Sequence, residues 1–415
     1  MTLLKTSSLN AIAVVVKLLV GLFLNKILAV YVGPAGYAVI GQFQNAVTMI
    51  TGFASGAINN GVVKYTAEYS YDEAKQVRVW QTASRIAISC SIAFAVLIAI
   101  SHKHLAILFL KDPEYGSIFL WFACFLLFFV LNALLLAILN GKKDVQRYVL
   151  ANISGSLVMA AVTGALAKGM GLYGALLALS INQSLAFFAT LFLCRKADWF
   201  RLHNIWGRFD SVAFRKLSGF ALMALTSAAV VPLSQMLIRN KLGQELGWDA
   251  AGYWQGIWKI SEMYLMVVTT TLSVYYLPRI SEITNGAELR HEIVQGYRII
   301  IPITALVAVV IYLLREWLVQ LLFTKAFAPM SELFVLQLIG DVVKIASWLL
   351  GYVLVGKAFV KVYMITEVFF TLLFVVLSYV LIPMYGVKGV TSGYLITYVT
   401  YFLTISFILV KYKHI

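Results

Sequence analysis

The chain has 415 residues, 61% of them apolar and only 12% charged, where a soluble domain carries roughly 25% charged residues. That composition excludes a soluble globular protein and identifies an integral membrane protein. The net charge of +15 reads as a topology signal and an attraction for anionic membrane lipids rather than as a nucleic-acid footprint.

A membrane-spanning helix needs about 20 mostly apolar residues. Twelve such stretches follow in chain order, near 8–32, 39–63, 81–101, 115–140, 147–167, 171–194, 217–239, 250–276, 297–321, 332–356, 362–383 and 387–410. Continuous apolar runs of this length favour helices, because barrel strands need only about 10 residues and alternate at period two. The first run is interrupted by Lys17, Asn25 and Lys26 and reads as a retained helix rather than a signal peptide. Cys90, Cys124 and Cys194 stand singly in apolar runs, the pattern of small buried hydrophobes, with neither a disulfide framework nor a metal site implied.

Lys and Arg concentrate in alternate connections. One side collects Lys142, Lys143, Arg147, the cluster from Arg195 to Lys216, and Arg279, Arg290 and Arg298; the other holds sparser cations such as Lys103, Lys111, Lys168, Arg239 and Lys241. The richer side is cytoplasmic by the positive-inside rule, so both termini are expected in the cytoplasm. The connections are too short for a soluble domain, the longest being 195–216. In it Trp199 and Trp206 are expected at headgroup depth.

An internal repeat runs through these spans. "GKKDVQRY" at 141–148 returns as "GKAFVKVY" at 356–363, Gly171 and Gly174 return as Gly386 and Gly389, and Lys64 returns as Arg279, all at an offset of 215. "AGY" at 35–37 returns at 251–253. Each match alone is ordinary, but the common offset is not. Six spans per copy give both copies the same orientation, a parallel repeat of the kind that places substrate near the midplane where the halves face each other. The expected organisation is a six-helix bundle over 1–194, a cytoplasmic interfacial linker over 195–216, and a second six-helix bundle over 217–415.

Charges inside the apolar runs are the candidate functional groups. Lys17, Arg85, Lys259, Glu262, Asp341, Lys344 and Glu367 fall within spans, and Lys26 lies nearer a helix end. Each such residue facing lipid opposes insertion by about 2.5–3.5 kcal/mol at the helix centre, so they are expected to face an interior. Lys17, about nine residues and some 13 Å into the first span, is the leading cavity cation. Lys259 with Glu262 and Asp341 with Lys344 are spaced i, i+3, which allows each pair to neutralise itself on one helix face. Glu367 has no basic residue one turn away and is a candidate proton or cation site, while Arg85 reads as an interface anchor. Gln42, Gln44, Asn45, Asn59 and Asn60 add polar groups to the second span, and Tyr37, Trp254, Trp258, Tyr264 and Trp348 offer rings for packing or for sugar faces. The interior is net basic, which suits a phosphate or pyrophosphate.

The stretches 17–45, 252–265, 277–284 and 336–358 resemble the Wzx-type flippases of Gram-negative bacteria over essentially the full length, most nearly the lipid III branch. The resemblance implies an all-α membrane protein of twelve helices in two bundles around a central cavity. Its cargo would be an undecaprenyl-pyrophosphate-linked oligosaccharide, an O-antigen unit or enterobacterial common antigen lipid III, moved from the cytoplasmic to the periplasmic leaflet of the inner membrane. Within the family pattern stand Lys17, Lys26, Arg239, Asp341 and Lys344; Lys259 falls outside it.

The expected function is therefore a flippase working by alternating access, not an enzyme and without a cofactor or metal. Substrate binding falls to Lys17, Lys26, Arg239, Lys259 and Lys344, and coupling or gating to Glu262, Asp341 and Glu367. Anionic membrane lipids and the polymerase and chain-length proteins of the same pathway are the expected partners. A cation-coupled multidrug extruder of the same fold is the alternative, and acidic cavity residues would favour it.

Overall fold

The computed structural model describes residues 3–283, 285–357 and 359–411; the chain ends, whose sidedness was expected above, lie outside the described residues. All the described elements are helical, the outcome lipid imposes, because a helix satisfies its own backbone N–H and C=O groups where water cannot. In chain order they are α1 (Leu3–Ala54), α2 (Asn59–Glu68), α3 (Glu73–Leu105), α4 (Gly116–Gly141), α5 (Val145–Cys194), α6 (Leu202–Ile205), α7 (Ser211–Leu246), α8 (Trp248–Thr271), α9 (Leu277–Glu282), α10 (Gly286–Leu313), α11 (Arg315–Leu322), α12 (Phe334–Gly356), α13 (Val360–Tyr385) and α14 (Val387–Lys411). Among the described residues eight helical stretches are long and apolar enough to cross a membrane, and the bent pair Ser211–Gly219 and Ala224–Leu246 adds a ninth if counted as one span. The protein is a multi-pass, all-helical membrane protein.

Glycines in left-handed backbone, a conformation that costs other residues about 1–2 kcal/mol, break the longest helices. Gly33 (φ 65, ψ −176) interrupts the 52 residues of α1 and Gly171 (φ 56, ψ −133) the 50 of α5. At Gly171 the chain turns back on itself, since a Cβ on Gly174 would stand 2.0 Å from the Leu166 carbonyl oxygen, whereas eight residues of straight helix rise about 12 Å. Between α13 and α14 the same reversal occurs at Gly386 (φ 61, ψ −141), and a Cβ on Gly389 would stand 2.3 Å from the Leu381 oxygen. Each of these three residues lies 215 positions after its counterpart. Gly141 and Gly356, which end α4 and α12, likewise press on Thr66 and Ser281, also 215 apart.

One expected boundary is corrected. The helix of the second span ends at Ala54 instead of near 63, because Gly56 (φ 63) and Ala57 (φ 51) adopt left-handed backbone. Asn59 and Asn60 therefore open α2 and do not line that span.

The chain groups into two compact units, the first Met1–Val32 with Val39–Pro232 and the second Gly33–Ala38 with Leu233–Ile415. The 195–216 connection packs inside the first: Gln81 Nε2 donates to the His203 carbonyl at 2.7 Å, and the Asp210 amide donates to Thr82 Oγ1 at 3.1 Å. Trp199, expected at headgroup depth, is buried edge-on against Trp80 at 5.6 Å, while Trp206 is exposed. The core of this unit includes Phe43 edge-on to Phe119 and Phe122. Polar clasps add Asn132 Nδ2 to Gln183 Oε1 at 2.9 Å and Asn182 Nδ2 to Thr163 Oγ1 at 3.0 Å.

In the second unit the short segment Gly33–Ala38 packs on the start of α8. The Ala35 amide donates to Asp249 Oδ1 at 3.0 Å, Tyr37 meets Phe323 and Phe327 edge-on, and Gly252 lies so close that a Cβ there would meet the Pro34 oxygen at 2.0 Å. The core of α12 and α14, with Leu349, Val353, Tyr401 and Ile405, packs with Leu289 and Ile293 of α10.

Candidate functional site

Five of the charged residues expected to function, Arg239, Lys259, Glu262, Asp341 and Lys344, fall in one polar and aromatic cluster of the second unit, built by α7, α8, α12 and α14. At its centre Asp341 is 0% exposed. Its Oδ1 accepts from Tyr394 Oη at 2.8 Å and Gln337 Nε2 at 3.2 Å, and its Oδ2 accepts from Ser261 Oγ at 2.6 Å and Tyr264 Oη at 2.9 Å. Two donors per oxygen match the acceptor capacity of a carboxylate and stand in for the water that burial removes.

Lys344 follows one turn later and makes no ion pair among the described residues. Its ammonium instead lies within an aromatic box, 4.9 Å from the ring centre of Trp348, 5.4 Å from Tyr398, 5.5 Å from Trp258 and 5.8 Å from Tyr394. Ring faces attract a desolvated cation. Asp341 and Lys344 therefore act on each other through charge without a direct ion pair: neutral donors occupy the carboxylate, aromatic faces hold the ammonium, and Tyr394 serves both.

Lys259 and Glu262 do pair, Nζ to Oε2 at 3.1 Å, and Glu262 also accepts from Trp258 Nε1 at 2.9 Å. Both side chains are partly exposed, so the pair contributes little to stability. Arg239, expected among the outer-connection cations, is instead 1% exposed within α7. Its Nε donates to Gln255 Oε1 at 2.9 Å and its Nη2 to Gln235 Oε1 at 3.3 Å, with the guanidinium 5.7 Å from the Trp254 ring. Trp254 and Trp258, edge to face at 5.5 Å, connect this end of the cluster to the box around Lys344.

The remaining expected residues lie elsewhere. Lys17, exposed, and Lys26, half-buried, belong to α1 in the first unit. Glu367 on α13 is half-buried, engaged with its neighbours, and close enough for its charge to act on Tyr398 and Tyr401. Sequence reasoning missed Gln235, Ser261, Gln337, Tyr394 and Tyr398. Gln235 with Arg239 and Gln337 with Asp341 carried a usable signal, their i, i+4 spacing, whereas the tyrosines come from a helix 53 residues away in sequence from Asp341.

Buried Arg239 and half-buried Lys344 together outweigh buried Asp341 by one positive charge, which suits an anionic ligand. The residues that stand 215 positions before the centre of this cluster are apolar. There Leu126, Phe129, Phe122 and Leu179 stand 215 residues before Asp341, Lys344, Gln337 and Tyr394. Phe122 packs edge-on to both Phe43 and Phe129, and Leu126 is 0% exposed.

The backbone has the fold of solved multi-pass membrane transporters. It matches the inward-facing structure of a multidrug resistance MATE family transporter of the MOP superfamily with a TM-score of 0.77, covering 96% of this chain and 98% of that one at 16% identity. It also matches a MOP superfamily transporter from Pyrococcus furiosus, described by the reversed polarity of its binding pocket, at a TM-score of 0.68, covering 96% and 95% of the two chains at 14% identity. The family described as polysaccharide biosynthesis protein matches residues 3–284. The chain is 31% identical over 402 residues to the lipid III flippase of Escherichia coli K12, 97% of each chain, and identical to the same extent and over the same coverage to that of Shigella flexneri. The chain belongs to the polysaccharide biosynthesis protein family, alongside these flippases.

Proposed function

We propose that the protein flips an undecaprenyl-pyrophosphate-linked oligosaccharide, an O-antigen unit or lipid III, from the cytoplasmic to the periplasmic leaflet of the bacterial inner membrane by alternating access. The observation that carries this reading is the 31% identity to lipid III flippases over 97% of both chains. In it the chain spans twelve times, in two parallel six-helix repeats over 1–194 and 217–415 joined by 195–216, with both termini cytoplasmic. Left-handed glycines at 33 and 171 support the higher count, since each can end one span and begin the next within a helical stretch otherwise counted as one. Lys17, Lys26, Arg239, Lys259 and Lys344 bind the pyrophosphate, and Glu262, Asp341 and Glu367 gate or couple the cycle. The apolar first-half positions support a functional role for the charges, because a matching core is built there without them.

The test is expression in a bacterium lacking its own lipid III or O-antigen flippase, with mass spectrometry of the accumulated lipid-linked intermediate. Clearance of the intermediate is the expected result. Undiminished accumulation with the protein present in the membrane would overturn the reading, and raised resistance to cationic dyes in its place would assign a multidrug extruder.

A further inference from the structure

The connection between α5 and α7 is fixed to the first unit at several points. Trp199 is buried against Trp80, Asn204 Nδ2 donates to the Trp199 carbonyl at 2.9 Å, and Gly207 lies so close to α3 that a Cβ there would stand 2.1 Å from the Gln81 carboxamide carbon. Asp210 caps α7, its Oδ1 accepting from the amides of Val212 and Ala213 at 2.8 and 2.9 Å, and its Oδ2 lies 3.9 Å from Arg78. The segment is a mounted surface, not a slack tether.

What it presents outward is of two kinds. Trp206 is 57% exposed, Phe209 47% and Phe214 44%. Interleaved with them in sequence stand Arg201, Arg208 and Arg215, all exposed and none within ion-pair distance of a carboxylate among the described residues. At the end of α5 Arg195 repeats the pattern, its guanidinium 3.9 Å from the exposed ring of Phe192. Of the acids in 195–216, Asp210 is committed to the cap, which leaves Asp198 against these cations. A solvated connection would account for the arginines but not for the rings, because a topology signal needs cations alone. Trp and Phe set among Arg are the composition of segments that lie in the membrane interface, with rings at headgroup depth and guanidinium groups on phosphates.

We infer that the connection 195–216 is a docking surface for anionic phospholipid headgroups of the leaflet it faces, with Arg201, Arg208 and Arg215 receiving phosphates and Trp206, Phe209 and Phe214 entering the headgroup region. Charge complementarity selects the occupant, since an anionic leaflet attracts each arginine near its surface. The anchors on Trp80, Gln81 and Thr82 hold the segment in place before lipid arrives. The surface does not depend on the flippase reading, because phospholipid surrounds the protein whatever it carries.

Full-length protein is reconstituted in nanodiscs of phosphatidylcholine with phosphatidylglycerol, the latter brominated at the headgroup end of its chains, and Trp206 emission is taken as the difference between wild type and Trp206→Phe. Quenching of that emission by the brominated lipid is expected; unquenched emission typical of an indole in water overturns the proposal. Native mass spectrometry then compares retained phosphatidylglycerol with retained phosphatidylcholine. The preference for phosphatidylglycerol should fall about fivefold with each of Arg201→Gln, Arg208→Gln and Arg215→Gln and be kept by Arg201→Lys, Arg208→Lys and Arg215→Lys, since lysine also receives phosphate as a point charge. Equal retention of the two lipids by wild type, or an undiminished preference in the variant carrying all three glutamines, overturns the proposal.

Discussion

Tyr394 donates its hydroxyl to Oδ1 of Asp341 at 2.8 Å, and the same ring stands 5.8 Å from the Lys344 ammonium. Tyr394→Phe keeps the ring and deletes the donor, separating the two roles. Leaving a buried acceptor short of a partner costs about 1–3 kcal/mol. Thermal unfolding in detergent should register that loss, with protein abundance in the membrane preserved and transport reduced.

Placing the first half's residues at the charged positions gives a sharper test. Lys344→Phe alone leaves Asp341 without a compensating cation and should cost about 3–5 kcal/mol, whereas Asp341→Leu with Lys344→Phe should recover most of it, since apolar replacement of a buried charged pair is often neutral. Neither variant should clear the lipid-linked intermediate. Transport by the double variant would show that these charges are dispensable.

The hairpin glycines predict matched penalties. Gly174→Ala and Gly389→Ala each drive a methyl into a backbone carbonyl, of Leu166 and Leu381 respectively, and should destabilise by about 1–3 kcal/mol or more. Gly169→Ala, with nothing within 4 Å of the new Cβ, should not. Unfolding temperatures of the three variants decide.

Lys17 is exposed on α1 and its replacement should leave folding intact. Lys17→Ala is expected to abolish delivery of the lipid-linked sugar to the periplasm at unchanged abundance. Normal delivery by this variant would remove Lys17 from the mechanism.

At the start of α3, Asp72 caps the helix and pairs with Lys75, and the hydrogen bonds from Lys75 hold its carboxyl below the ordinary 3.8. Because the folded value is the lower one, the contribution is complete above the ordinary value and is lost as pH falls through the folded one. Hydrogen exchange at the Lys75 amide, corrected for its intrinsic rate, should therefore lose protection as pH falls below about 4. Asp72→Asn keeps a capping oxygen and should abolish that dependence.

Much of this was legible in the sequence, unevenly. The offset of 215 located Gly171, Gly174, Gly386 and Gly389 because a reversal without a loop demands glycine where the backbone turns left-handed and where it touches another segment. Lys259 and Glu262 were legible because an i, i+3 pair is local. Asp341 and Lys344 share that spacing and behave otherwise, since the donors and rings deciding their state arrive from α8 and α14. Tyr394 was invisible for the same reason: a tyrosine in an apolar helix looks like packing until a carboxylate is known to face it. The packing of Trp199 on Trp80 was not legible because the two lie 119 residues apart.

The turns at Gly171 and Gly386 have a practical outcome. A hairpin closed by one residue leaves no slack chain for a protease to grip or an antibody to recognise, and an epitope inserted there must pry the helices apart. Reporter tags meant to reveal which side these tips face belong in the longer connections, where an insertion can loop out without disturbing its neighbours.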